Sequence, residues 1–144
     1  MIRAVFDANV YVSALLRPQG PPGSLLRRWL TARSFTLVVT LPIAEEVRTV
    51  LNRPKIRQRI HLTPAEVDAW LNAILIQADV VHADTRLKIV AADPGDDKYL
   101  EAADAGRAGV IVTGDRHLLD LPPRPESAII TPAAFLKMLE AAEK

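Results

Sequence analysis

Two short apolar runs in this chain each end in an aspartate. Residues 2–6 lead directly into Asp7, and residues 109–112 lead through Thr113 and a glycine into Asp115. Such runs are typical of strands that are buried on both faces of a parallel sheet. Ligand crevices in these sheets lie at the carboxyl ends of the strands, so both carboxylates are candidate site residues. Aspartate is also a good helix N-cap, and either residue could simply cap the helix that follows.

Two adjacent glutamates supply a further candidate acid. Glu45 and Glu46 lie in a predicted helix over residues 42–52. On an ideal wheel, Glu45 falls about 175° from the centre of the apolar stripe and Glu46 about 85°. We therefore expect Glu45 in water and Glu46 at the border, where its side chain can reach a cleft. The alternative is two solvated acids that the helix macrodipole favours in the first turns.

A third group of acids surrounds a proline–glycine turn. Asp93 precedes this turn, and Asp96 and Asp97 follow it at the start of a helix that is predicted to run to about Gly106. Asp96 is the preferred N-cap, which leaves Asp97 in the first helical turn. Acids at helix starts are common, so this group is weak evidence on its own.

Taken together, the acids indicate a metal site. Carboxylates held close together raise one another's pKa and oppose folding unless a cation joins them. The chain has no cysteine and only three histidines, so a thiolate zinc site is excluded and oxygen ligands are better supplied. We therefore predict a site for Mg²⁺ or Mn²⁺.

The elements that must position these acids alternate between strand and helix. Apolar and β-branched runs predict strands over residues 2–6, 35–39, 79–83, 87–91, 109–112 and 128–130. Besides the helices already given, helical patterns cover residues 10–16, 24–32, 64–75, 115–119 and 131–139, and residues 17–23 are predicted as a loop. This alternation predicts βαβ units and therefore an α/β fold with a parallel sheet.

The totals describe an ordinary globular chain. It has 144 residues, of which 49% are hydrophobic and 24% charged, and we expect a single domain over residues 1–144. The formal charge is only +1, so any nucleic-acid surface must be a local patch. No signal peptide, membrane anchor or membrane span is apparent, so we expect a cytoplasmic protein that does not associate with membranes.

One local basic cluster lies just beyond the Glu46 helix. It comprises Arg53, Lys55, Arg57 and Arg59, and Arg116 lies beside Asp115. We predict that these five residues bind nucleic acid, although a run of charges is more often a solvated helix face. The two tryptophans, Trp29 and Trp70, fall on apolar helical stripes and are expected in the core or an interface.

Four segments resemble a known family. The chain resembles the PIN-domain nucleases, specifically the small prokaryotic ones that act as toxin components of toxin–antitoxin pairs. The resemblance is carried by residues 7–13 (DANVYVS), 43–55 (IAEEVRTVLNRPK), 93–103 (DPGDDKYLEAA) and 112–119 (VTGDRHLL). No one segment is specific, but the four in this order and spacing are.

The resemblance implies a three-layer α/β/α sandwich with a central, mainly parallel sheet. It places the metal-binding and catalytic acids at Asp7, Glu46, Asp97 and Asp115, with Asp96 as an additional or replacement ligand. It also assigns Asn9 and Thr113 to hydrogen-bonding support of the site. The implied activity is metal-dependent hydrolysis of RNA, with a cognate antitoxin as partner and a homodimer as the assembly.

Two other classes of protein are alternatives to this one. A PIN-fold regulatory or scaffold module with weak or no catalysis is the main alternative, and the presence of all four acids argues against it. A haloacid-type phosphatase needs a second aspartate where Asn9 stands, and a receiver domain needs a lysine at the end of a late strand. Neither of those two patterns is present.

Overall fold

A single parallel sheet organises the molecule. The computed structural model describes residues 1–83 and 97–143. Within them the sheet has five strands in the spatial order β3-β2-β1-β4-β5, and every neighbouring pair is parallel. The strands are β1 (Arg3–Phe6), β2 (Thr36–Val39), β3 (Asp79–Val80), β4 (Val110–Val112) and β5 (Ala128–Ile130).

Helices cover both faces of this sheet. Those in the described residues are α1 (Ala8–Leu16), α2 (Pro21–Ala32), α3 (Leu41–Leu51), α4 (Pro54–Ile60), α5 (Pro64–Gln77), α6 (Asp97–Gly106), α7 (Arg116–Leu119) and α8 (Pro132–Ala142). On one face, α1 packs on α2 and α2 packs on α8, while α6 packs against β1, β2 and β4. The predicted three-layer α/β/α sandwich is confirmed.

Aromatic rings fill the space between the sheet and the first of these layers. The Phe6 ring lies 5.7 Å from Tyr11, 5.6 Å from Phe35 and 6.5 Å from Phe135, measured between ring centres. On the opposite face, a Cβ at Gly106 would overlap Val38, so the glycine lets α6 approach the sheet closely. Phe6 and its two neighbours in β1, Ala4 and Val5, are almost fully buried, as expected for a strand covered on both sides.

The order of the strands reverses beside β1. The chain builds outward from β1 to β2 and β3, then returns to place β4 on the other side of β1. Connections therefore leave β1 and β4 in opposite directions, and this reversal of strand order is where open α/β sheets bind ligands. Asp7 follows β1, and Thr113 follows β4 at this point.

Several predicted boundaries are wrong. Helix α2 begins at Pro21 rather than residue 24, because prolines fit the first helical turn and Gly23 is buried against the backbone of Pro18. Helix α3 ends before Pro54, as expected, but Pro54 also begins a second helix, α4, which the sequence does not predict. Strand β3 has two residues instead of five. The predicted strand over residues 87–91 lies outside the described residues, as do Asp93 and Asp96.

In the part of the chain that the structure describes, no helix has the length and apolar character needed to cross a bilayer.

Candidate active site

Asp7 and Thr113 meet at the carboxyl ends of β1 and β4. The Asp7 N–H donates to the Val112 carbonyl at 3.0 Å, which continues the ladder between the two strands by one residue. The Thr113 hydroxyl donates to Asp7 Oδ2 at 2.7 Å. Asp7 is 3% exposed and Thr113 is fully buried, so this contact is shielded from water.

The other Asp7 oxygen caps a helix. Asp7 Oδ1 accepts a hydrogen bond from the Asn9 backbone N–H at 3.0 Å and so serves as the N-cap of α1. Asp7 can therefore cap the helix through Oδ1 and still belong to the candidate site through Oδ2. Asn9 is an exposed residue, and its contact with Asp7 comes from its backbone, whereas Thr113 uses its side chain.

Burial changes the acidity of Asp7. Removal from water raises the pKa of this carboxyl above its ordinary value, and the negative charge of Glu46 raises it further. The hydrogen bonds from Thr113 and Asn9 lower the pKa and offset part of this effect. A carboxylate in this setting gains from a nearby positive charge that compensates its lost hydration.

Glu46 approaches from α3, and Glu45 does not. Glu45 is exposed and pairs with Arg48 at 2.9 Å on the surface of the helix. Glu46 is half-buried, and its Oε1 lies 3.1 Å from Lys98 Nζ and also accepts a hydrogen bond from the Tyr99 hydroxyl. The predicted difference in exposure between the two glutamates is confirmed, because the helical period sets which of them lies at the border of the apolar stripe.

Tyr99 was not identified from the sequence. It is 1% exposed, and its hydroxyl accepts from the Ala8 N–H at 3.2 Å while donating to Glu46. Burial raises the pKa of the Tyr99 hydroxyl, as do the charge of Asp7 and the hydrogen bond to Glu46, so the group stays protonated. In the sequence Tyr99 looks like an ordinary core aromatic, and no spacing signal marks its hydroxyl.

Asp97 begins α6 and is buried, in agreement with the expectation that it lies in the first helical turn. The next two residues, Lys98 and Tyr99, both contact Glu46, so Asp97 lies in the same turn of helix as these contacts. Whether Asp96 replaces it as a ligand stays a prediction, since Asp96 lies outside the described residues.

Asp115 is joined to Asp7 through Thr113. The Asp115 N–H donates to Thr113 Oγ1 at 2.9 Å, and that same hydroxyl donates to Asp7. Asp115 Oδ1 accepts from the His117 N–H at 2.8 Å and caps α7. Asp115 is therefore, like Asp7, both a helix cap and a candidate site residue. Asp115 is half-buried, and Arg116 and His117 beside it are exposed.

The acids share one edge of the sheet without forming a finished metal site. Among residues 1–83 and 97–143, no three Asp, Glu or His side chains are grouped as ligands of one ion. Hydrogen bonds and the Lys98 ammonium take up the carboxylates of Asp7 and Glu46. The donor chemistry nevertheless fits Mg²⁺ or Mn²⁺, since these ions prefer carboxylate oxygens and Asp7 has lost most of its hydration.

The predicted basic cluster divides into two kinds of residue. Arg53, Lys55 and Arg59 are exposed. Arg57 is half-buried and donates to Asn52 Oδ1 at 3.3 Å and to the Leu62 carbonyl at 3.2 Å, so it holds the end of α3 to the loop after α4. Arg53 and Lys55 line an apolar-walled cleft of about 690 Å³ that reaches Asn9.

Comparison with known proteins places the chain in a family. The PIN domain family model matches residues 3–117, from β1 into α7. An uncharacterized protein of Methanocaldococcus jannaschii is 30% identical over 121 residues, which span 83% of this chain and 75% of that protein. The structure of VapBC2 from Rickettsia felis, bound to a DNA fragment from its promoter, contains a chain similar in fold.

That match has a TM-score of 0.59 and 13% identity, and covers 90% of this chain and 98% of the Rickettsia chain. A match at this low identity shows a shared fold and no more. The family model, in contrast, covers most of the residues that form the sheet and the candidate site. This chain belongs to the PIN domain family.

Proposed function

We propose that this protein is a divalent-metal-dependent endoribonuclease and the toxin component of a toxin–antitoxin pair. PIN domains are generally nucleases, which supports the hydrolase assignment. The observation that carries the proposal is the buried Thr113 hydroxyl, which donates to the Asp7 carboxylate and accepts from the backbone N–H of Asp115 at the reversal of strand order. Two aspartates anchored at this point of an open α/β sheet are suited to binding a cation and a phosphate together.

The residues that would hold Mg²⁺ or Mn²⁺ are Asp7, Glu46, Asp97 and Asp115, with Asp96 as an additional ligand. When bound, the ion lowers the pKa of a water molecule toward neutrality and stabilises the leaving oxygen of the phosphodiester. Thr113 orients the Asp7 carboxylate through its hydrogen bond to Oδ2. The Asn9 backbone fixes the other oxygen, so the Asp7 side chain is held in one position before any ion arrives.

The exposed cations favour a nucleic-acid substrate, and RNA is proposed from the resemblance to the small prokaryotic toxins. Arg53 and Lys55 line the cleft that reaches Asn9, Arg59 is exposed further along α4, and Arg116 is exposed beside Asp115. Such positive side chains can hold the phosphates that flank the cleaved bond. Arg57 is a weaker member of this set, because its guanidinium already binds Asn52 and Leu62.

The antitoxin and dimer belong to the same proposal. The VapBC2 complex of Rickettsia felis binds promoter DNA, and a chain of that complex shares the fold of this one. By analogy, a DNA-binding antitoxin would inhibit this protein by placing a helix in a groove and an Arg or Lys among the acids. We also expect a homodimer and a cytoplasmic location.

The decisive experiment is cleavage of total cellular RNA by the purified protein with Mn²⁺. Wild-type protein should cut RNA, and Asp7→Asn should not. Asp68→Asn is the matched control, because Asp68 is an exposed acid that pairs with Arg48 on the surface. If wild type and Asp7→Asn leave RNA equally intact, the nuclease proposal is wrong. The alternative of a non-catalytic regulatory or scaffold module is then favoured.

A further inference from the structure

Two consecutive residues of α6 hold one oxygen of Glu46. Lys98 Nζ lies 3.1 Å from Glu46 Oε1, and the Tyr99 hydroxyl donates a hydrogen bond to the same atom. Lys98 Nζ also lies 5.5 Å from the centre of the Tyr99 ring, within the range of a cation–π contact. The ammonium and the hydroxyl therefore form one unit around the carboxylate.

Tyr99 connects Glu46 to the segment that carries Asp7. Its hydroxyl accepts from the N–H of Ala8, the first residue of α1 and the neighbour of Asp7. The hydroxyl is buried, and it accepts from Ala8 while it donates to Glu46. It thus links the start of α1 to the acid on α3.

Lys98 makes a contact of a different kind. The Lys98 and Glu46 side chains are 23% and 34% exposed, so water and ions can reach both groups. An ammonium on a flexible stem carries a single charge and can swing away without loss of core packing. A divalent cation can therefore replace it beside Glu46 more readily than it can replace the buried Tyr99 hydroxyl.

We propose that Tyr99 is a positioning residue that fixes the Glu46 carboxylate beside Asp7, and that Lys98 neutralises this carboxylate until a divalent cation displaces it. The inference rests on the proposed metal-dependent function.

The test is the affinity for Mn²⁺, measured by calorimetric titration of the metal-free protein. Tyr99→Phe should lower the affinity about 10-fold, because it removes a hydrogen bond that orients a ligand. Lys98→Gln should raise the affinity about 2- to 5-fold, the range expected when a partly exposed charge pair is removed. Lys98→Arg keeps the charge and should behave like wild type.

Tyr11 provides the matched control for Tyr99. Its hydroxyl is also buried, but it has no hydrogen-bond partner among the described residues. Tyr11→Phe makes the same chemical change as Tyr99→Phe without removing a contact to Glu46, so its Mn²⁺ affinity should equal that of wild type. A loss common to both variants would indicate general damage to the core and would overturn the positioning role.

The outcomes separate this inference from the proposed function. If Asp7→Asn abolishes Mn²⁺ binding while Tyr99→Phe and Lys98→Gln bind as wild type does, the metal site stands and the inference is wrong. If wild type binds no Mn²⁺, the proposed function and the displacement of Lys98 both fail.

In that case a double-mutant cycle of Tyr99→Phe with Glu46→Gln, measured by urea unfolding without metal, decides the positioning role. Non-additive effects of the two substitutions support it, and additive effects overturn it.

Discussion

The two corners where a strand passes into a helix, β1 to α1 and β4 to α7, place the same residue type in different environments. Asp7 and Asp115 both follow a buried strand, and both cap the next helix by accepting a backbone N–H two residues later. Asp7 is nearly fully buried and uses both oxygens, whereas Asp115 is half-buried beside exposed residues.

This difference comes from the helix that follows each strand, because β1 and β4 are both internal strands of the sheet. Five of the nine residues of α1 are buried in the core. Helix α7 has four residues, and Leu118 is the buried one among them. The burial of each aspartate therefore depends on the elements packed around it. The local pattern of a buried strand followed by an acid does not specify that burial.

The comparison predicts unequal losses of activity from two matched substitutions. Asp7→Asn should lower RNA cleavage by more than about 100-fold and Asp115→Asn by about 10-fold, since metal sites depend most on their most ordered ligands. Asparagine keeps the capping oxygen in both variants, so helix stability should change little. The check is the initial cleavage rate with Mn²⁺, and a larger loss at Asp115 would reverse the assignment.

The hydroxyl shared by the two corners should matter for folding. Thr113→Val removes a buried donor to Asp7 and the acceptor for the Asp115 N–H, and should reduce the free energy of unfolding by about 1–3 kcal/mol. Thr113→Ser retains the hydroxyl and should lose less. Urea unfolding measures both, and a larger loss for Thr113→Ser than for Thr113→Val would show that the methyl group, not the hydroxyl, is responsible.

The buried corner should also make stability depend on pH. The pKa of Asp7 is raised in the folded protein, so its protonated form is favoured by folding. The contribution of Asp7 to the free energy of unfolding is fully present below its unfolded-state pKa of about 4. This contribution is lost as the pH rises through the pKa of Asp7 in the folded protein. In metal-free protein, Asp7→Asn should lack this loss, as urea unfolding across a pH series would show. A parallel pH profile for both proteins would contradict the effect of burial.

The smallest effect is expected from capping at the exposed corner. Asp115→Ala removes the acceptor for the His117 N–H and should cost about 1 kcal/mol of unfolding free energy, whereas Asp115→Asn should cost less. Thermal unfolding of the metal-free variants checks this. Identical values for Ala and Asn would mean that α7 does not depend on its cap.

The sequence was informative where a local period governs the outcome. The helical wheel separated Glu45 from Glu46 correctly, and the apolar runs located the strands that end at Asp7 and Asp115. It was least informative where contacts span long separations. The Tyr99 hydroxyl binds Glu46 and Ala8, which lie 53 and 91 residues away along the chain, and no local pattern encodes such a pairing.

By itself, the sequence determined most of the strands and helices, that the sheet is parallel, and which acids follow the strands, although it did not predict α4. Periodicity and turn residues act over a few positions, so these features can be recognised locally. The tertiary structure alone decided the strand order, the unequal burial of Asp7 and Asp115, and the contacts of Lys98 and Tyr99 with Glu46. Burial and pairing of this kind arise from packing between elements that are distant in the chain.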